Sequence, residues 1–145
     1  MDELQLTSDE GSPTMRLPYA DMGIRAGFPS PAQDYMDKGF DIARELIDHP
    51  ASTFVARVIG DSMVDADIAE GDLVIIDKSI RPCHNNVIVA YIDGEFTIKR
   101  LDLSQRKKGI IWLRPANRGY NPIKITDLDN FKIWGVVTRL IKNML

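Results

Sequence analysis

Val87-Ile88-Val89-Ala90-Tyr91-Ile92-Asp93-Gly94-Glu95-Phe96-Thr97-Ile98-Lys99-Arg100-Leu101 is the stretch whose reading decides the fold. Val87–Ile92 is a short apolar run dominated by β-branched residues, the mark of a buried strand. Asp93-Gly94 follows at once, and a two-residue Asp-Gly loop is the strongest short-range hairpin signal. Glu95–Leu101 is then the return strand. Working outward, Thr53–Ile59 is β-branched and aromatic, and Leu73–Asp77 is an apolar run after the Glu70-Gly71-Asp72 turn. Gly109–Leu113, Ile123–Ile125 and Phe131–Leu140 complete a set of short strands, with Pro115, Gly119 and Pro122 punctuating one gap. The apolar density of Ile133–Ile141 also fits a helix, but Val136-Val137-Thr138 and the interruption at Gly135 favour a strand. The chain is expected to be mainly β.

The region before residue 50 reads differently. Residues 1–23 show little hydrophobic periodicity, and Glu10-Gly11-Ser12-Pro13-Thr14 reads as a mobile segment. Phe28-Pro29-Ser30-Pro31 is expected to be extended, because a residue before proline is pushed out of the helical region. Residues 1–30 are therefore expected to be a flexible N-terminal arm. Residues 32–47 carry an approximate helical stripe of Tyr35, Met36, Phe40, Ile42, Ala43, Leu46 and Ile47. Gly39 breaks it, Asp41 is placed to cap a shorter second piece, and His49-Pro50 ends it. The expectation is a short helical segment leading into the β-domain.

At 145 residues and 44% hydrophobic content the chain supports one core of ordinary size. No apolar run approaches the ~18 residues of a membrane span, and no basic-then-apolar leader opens the sequence, so no membrane association and a cytoplasmic location are expected. Cys83 is the sole cysteine, which rules out an internal disulfide and reads as a small packed side chain. Net charge is −3, unevenly spread. Residues 1–50 carry ten acids against Arg16, Arg25, Lys38 and Arg44, whereas residues 96–145 carry eleven Lys or Arg against Asp102, Asp127 and Asp129. Arg106-Lys107-Lys108 reads as a solvated hairpin tip. Direct nucleic-acid binding is not expected of so acidic a chain.

The chemistry-bearing residues are a serine and a lysine. Ser62 lies in Gly60-Asp61-Ser62-Met63, where Gly60 can take backbone angles other residues resist and so thrust the serine out of a strand end. Backbone N–H groups there, at Asp61 and Ser62, are candidates for an oxyanion hole. An Asp-Ser turn or helix cap is common in any protein without chemistry. Lys99 shares a strand face with Thr97 and Leu101 by alternation, and parity alone does not say which face is buried. A serine hydroxyl needs a neighbouring base, and a lysine serves only when burial lowers its pKa. The Thr97 hydroxyl is a candidate to orient that amine. His49 and His84 read as surface structure, which leaves a histidine triad without a good base. Asp61, Asp65, Asp67, Glu70 and Asp72 crowd together, but not at the spacing of a calcium loop, and no metal or cofactor is expected. Upstream, Ala26-Gly27 is a small-small peptide bond in the Pro-flanked arm.

Taken in order, Ala26-Gly27-Phe28-Pro29-Ser30-Pro31-Ala32, Gly60-Asp61-Ser62-Met63, Glu70-Gly71-Asp72-Leu73, Asp93–Leu101 and Gly135-Val136-Val137 resemble the LexA/UmuD family of self-cleaving Ser–Lys proteases, over roughly residues 24–142. The resemblance implies a compact irregular barrel, or β-clip, spanning residues 31–145 as a serine peptidase domain, and a homodimer. It implies Ser62 as nucleophile, Lys99 as general base and Ala26–Gly27 as the bond cut. It further implies a RecA filament on single-stranded DNA as co-protease, and a Y-family, UmuC-like translesion polymerase served by the shortened product in SOS mutagenesis. Repressors of this family carry a DNA-binding module before the cut, for which 26 residues are too few, so a LexA-like repressor is the weaker expectation. The alternative from another class is a non-catalytic β-domain that regulates a polymerase without being cut.

Overall fold

The computed structural model describes residues 15–20, 23–27 and 37–145. The expectations for residues 1–14, for Phe28-Pro29-Ser30-Pro31 and for the start of the helical stripe at 32–36 lie outside the described residues. The chain divides into two units, Met1–Asp48 and His49–Leu145.

In the first unit β1 (Leu17–Tyr19) pairs antiparallel with β2 (Asp37–Phe40), and the Tyr19 and Phe40 rings stack with centroids 4.4 Å apart. Here the sequence expectation is corrected. Residues 37–40 are a strand, not the middle of a helix, because Asp37 and Phe40 pair with Tyr19 and Leu17, a partnership that a stripe count does not register. Among the described residues of that segment the helix is α1 (Ile42–Leu46), and Asp41 caps it by accepting the Arg44 amide at 3.2 Å. Ala26 and Gly27 are exposed where the chain bends.

The second unit is one seven-stranded antiparallel sheet. Its strands are β3 (Thr53–Arg57), β4 (Leu73–Asp77), β5 (Val87–Ile92), β6 (Glu95–Asp102), β7 (Ile111–Arg114), β8 (Ile123–Ile125) and β9 (Phe131–Ile141), in the spatial order β3-β4-β9-β5-β6-β7-β8. The mainly β reading is correct, and each expected strand is present to within two residues at its ends. Asp93 and Gly94 both have positive φ, +48° and +91°, the two-residue turn that matches the twist of the flanking strands. β9 joins the two halves: Phe131–Val136 lies against β5 and Val136–Ile141 against β4. Its Gly135 is required by close approach, since a Cβ there would stand 2.5 Å from Ile76 Cγ2.

Two apolar cores flank the central strands. Ile88, Ala90, Leu101, Leu113, Ile125 and Val136 form one. Val58, Met63, Ile68, Val74, Ile76 and Val89 form the other. Both faces of β5 are therefore covered, as a compact irregular barrel requires. The second core explains how the β3–β4 connection is held. Val58 N–H donates to Asp72 O and Gly71 N–H to Val58 O, closing the neck of a loop. Met63 and Ile68 then drive its underside into the core, each at 5% exposure or less. Burying two such side chains stabilises the loop by about 1.5–3 kcal/mol apiece.

Three buried carboxylates tie the margins of the sheet. Asp77 accepts from Ser52 Oγ, Ser79 N and Ser79 Oγ and pairs with His49 Nδ1 at 2.5 Å. Asp102 accepts from Ser104 N and Arg114 Nε, and Asp72 from Ala69 N and Lys142 Nζ. The surface structural role expected of His49 is thus a clasp on Asp77, and Asp72 is buried. Cys83 is exposed, which corrects the expectation of a packed side chain. Arg106–Lys108 form an exposed single turn between β6 and β7, the hairpin tip expected.

Candidate active site

β6 pairs with β5 along Glu95–Arg100, but with β7 only at Arg100–Asp102. β7 ends at Arg114, and Pro115 turns the chain away. Two residues past the strand, Ala116 N–H donates to Ser62 O at 2.8 Å and Ala116 O accepts from Asp65 N–H at 2.7 Å. The loop that carries Ser62 thereby docks beside the half of β6 that β7 leaves open, where Lys99 lies.

Gly60 begins that loop with φ +90°, a conformation an L side chain resists. Its N–H donates to Glu70 Oε1 at 2.9 Å, so the Glu70-Gly71-Asp72 turn anchors the approach to Ser62. Met63 anchors the exit in the apolar core. Between these anchors Ser62 is half-buried. Lys99, only 7% exposed, reaches it: Nζ lies 2.9 Å from Ser62 Oγ, 2.6 Å from Thr97 Oγ1 and 3.1 Å from Ile98 O.

Those three partners serve either form of the amine: the ammonium donates one hydrogen to each, and the neutral amine donates to Thr97 and Ile98 and accepts the Ser62 O–H. Neutral Nζ has two hydrogens and one lone pair. Ile98 O can only accept, and Thr97 Oγ1 accepts as well, so the two hydrogens are used and the lone pair is left for the Ser62 O–H. Burial favours the neutral form of Lys99, holding its pKa below the ordinary lysine value because desolvation disfavours the ammonium. Among the described residues Lys99 has no carboxylate partner to restore its charge.

The peptide amides of Asp61, Ser62 and Met63 meet no acceptor among the described residues. The turn therefore has three consecutive N–H groups without acceptors among the described residues, Met63 adding one that the sequence did not single out. An apolar cavity of about 400 Å³ adjoins, lined by residues that include Val58, Met63, Ile98, Phe96 and Trp134, with Thr97 on its wall. A buried lysine amine with a lowered pKa, a hydroxyl at hydrogen-bond distance, unpartnered amides and a neighbouring cleft form an arrangement suited to acyl transfer.

Ala26 and Gly27 belong to the first unit. His84 is exposed, and its Nδ1 accepts from Leu103 N–H at 3.0 Å. Among the described residues no cluster of side chains is suited to a metal ion, and no helix is long and apolar enough to cross a membrane. Asn117 and Tyr120 were missed in sequence: both bond Asp61, across 56 and 59 residues. They sit in a Pro- and Gly-punctuated stretch with no periodicity, and no local signal assigns them a partner.

Comparison with known proteins gives matches across most of the chain. A model of the peptidase S24-like family matches residues 18–138. Protein SamA of Salmonella typhimurium is 43% identical over 116 residues, covering 80% of this chain and 78% of that protein. Protein MucA of Escherichia coli is 40% identical over 124 residues, covering 84% and 82%. A LexA repressor of Syntrophotalea carbinolica is 37% identical over 141 residues, covering 97% of this chain and 65% of the repressor.

Proposed function

The chain belongs to the peptidase S24-like family, and from that premise we propose that it is a self-cleaving serine endopeptidase that cuts its own Ala26–Gly27 bond. The observation that carries the reading is the 2.9 Å approach of Lys99 Nζ to Ser62 Oγ, with Lys99 buried and lacking a carboxylate partner among the described residues.

In this reading neutral Lys99 takes the Ser62 hydroxyl proton as Oγ attacks the Ala26 carbonyl carbon. Backbone N–H groups of the Asp61–Ser62–Met63 turn hold the resulting oxyanion. The Lys99 ammonium then gives its proton to the Gly27 nitrogen, the C–N bond breaks, and Ala26 remains as an ester on Ser62. Lys99, neutral again, deprotonates a water that hydrolyses the ester and regenerates the hydroxyl. Ala and Gly leave the carbonyl open, and an extended arm is the form a protease cleft binds as an added strand.

The partners follow from the resemblance noted in the sequence. A RecA filament on single-stranded DNA stimulates the cut, and the homodimeric product, freed of its arm, serves a Y-family translesion polymerase in SOS mutagenesis. Intact mass before and after exposure to activated RecA filaments tests the reading. The expected product begins at Gly27. A chain that stays whole under these conditions and at alkaline pH contradicts it, as does a cut elsewhere with Ala26–Gly27 intact.

A further inference from the structure

The Ser62 turn is gripped from outside by the loop that follows β7, through contacts the Ser–Lys chemistry does not itself use. Asn117 Nδ2 donates to the Asp61 carbonyl oxygen at 2.9 Å, and Tyr120 O–H donates to Asp61 Oδ1 at 2.5 Å. The Asn117 amide is oriented in turn, because its Oδ1 accepts the Gly119 N–H at 2.9 Å. Tyr120 N–H donates to Asn117 O at 3.1 Å, so the two side chains are set by one tight turn. These side-chain bonds are at the surface and add little to global stability.

Their effect on the turn is geometric. A trans peptide is planar, with C=O and N–H pointing in opposite directions, and this chain has no cis peptide among its described residues. The Asp61 carbonyl, which accepts from Asn117 Nδ2 at 2.9 Å and from Val64 N–H of its own turn at 3.2 Å, therefore sets the direction of the Ser62 N–H. The next peptide is treated in the same way, since Ala116 N–H holds the Ser62 carbonyl and so sets the Met63 N–H. Two consecutive amides that lack acceptors among the described residues are thus aimed by two consecutive residues of the opposite loop. Asn117 acts through a side chain, and Tyr120 restrains the Asp61 carboxylate so that the turn cannot roll.

We infer that Asn117 and Tyr120 are positioning residues that aim the oxyanion donors of the Ser62 turn. The inference rests on the Ser–Lys reading above. It makes the loop after β7 part of the catalytic apparatus although neither side chain touches the reacting atoms. An oxyanion donor displaced by about an ångström forfeits ~10- to 100-fold in rate. Removal of the clamp leaves Lys99, Thr97 and Ile98 untouched, so the titration of the base is not expected to move.

The test is the rate of self-cleavage of the full chain against pH, for the parent, Asn117→Ala, Tyr120→Phe, Arg118→Ala and Ser62→Ala. Asn117→Ala and Tyr120→Phe are expected to lower the alkaline plateau ~10-fold or more with the midpoint of the profile unchanged. The loss should persist at temperatures where circular dichroism shows each variant fully folded. Arg118→Ala, in the same turn, is expected to keep the parent rate. Should Asn117→Ala fail to fold, Tyr120→Phe, which deletes one exposed hydroxyl, carries the test alone. Plateaus within about twofold of the parent overturn the inference, and so does a loss wholly explained by a shifted midpoint. Cleavage by Ser62→Ala overturns the Ser–Lys reading and the clamp with it, whereas an inert Ser62→Ala beside fully active clamp variants overturns the clamp alone.

Discussion

Ser62 and Lys99, 37 residues apart in the chain, meet with 2.9 Å between Oγ and Nζ, because the β3–β4 loop docks where β7 stops short of the first half of β6. The dyad is thus a product of strand length. A β7 two residues longer would occupy the place Ala116 takes, and the nucleophile loop would lose its seat.

Ser62→Ala is expected to abolish cleavage with the sheet intact, since a half-buried hydroxyl contributes little to the core. Lys99→Met, which keeps most of the side-chain bulk, is expected to abolish cleavage too. At neutral pH it should be no less stable than the parent, because it removes a cation whose burial disfavours its charge. The sign follows from the depressed pKa. The unfolded chain binds the Lys99 proton more tightly, so parent stability rises with pH between the folded and unfolded values, and the advantage of Lys99→Met shrinks across that window. His84→Ala should cleave normally. His49→Ala should also cleave, at a lower melting temperature through loss of its bond to Asp77. Mass spectrometry and thermal melts check all four, and a cleaving Lys99→Met would mean another base.

Thr97→Val tests how the amine is aimed. Thr97 Oγ1 accepts from Nζ at 2.6 Å, a hydrogen bond that is stronger for the ammonium and that, in the neutral amine, leaves the lone pair for Ser62. Replacing the hydroxyl with a methyl is expected to move the midpoint of the pH–rate profile down and to lower its plateau ~10-fold. A profile unchanged in both respects would show that Ile98 O alone suffices.

Much of this architecture was legible in the sequence because it is local. A Val- and Ile-rich run, an Asp-Gly turn and strict alternation specify the β5–β6 hairpin without reference to the rest of the chain. The strand at 37–40 was not legible, since Gly39 and Phe40 sit inside a stretch whose apolar spacing also fits a helix, and pairing with Leu17–Tyr19 decides between them. Asn117 and Tyr120 were illegible for the same reason. Their partner, Asp61, is brought to them only by the folded sheet, and nothing in a Pro- and Gly-rich loop encodes a contact 56 residues away.

Gly135→Ala is expected to destabilise the protein by about 1–3 kcal/mol, the usual penalty for overpacking. The added Cβ meets Ile76 Cγ2 at 2.5 Å and Asp77 O at 3.3 Å, so β9 must shift from β4. Urea denaturation measures the change, and an unaltered midpoint would show that Ile76 simply changes rotamer.

Acid should weaken the fold through Asp77, Asp102 and Asp72. Each carboxyl is held below the usual range: Asp77 first by Ser79, then His49 and Ser52; Asp102 by Ser104, then Arg114; Asp72 by Lys142, then the Ala69 amide. Their stabilisation is complete above about pH 4, the unfolded carboxyl range, and is lost as pH falls towards the folded values. Urea midpoints are expected to fall steeply below about pH 4, and less steeply in Asp77→Asn. Equal slopes would remove Asp77 from the account.

The most direct measurement is the initial rate of self-cleavage by intact mass from about pH 6 to about pH 10, without activator, for the parent and Lys99→Ala. Only neutral Lys99 can accept the Ser62 proton. The parent rate should therefore rise with pH through a midpoint below the ordinary lysine value, yield a product beginning at Gly27, and vanish in Lys99→Ala. Cleavage at Ala26–Gly27 that persists in Lys99→Ala with the parent's pH profile would contradict the account.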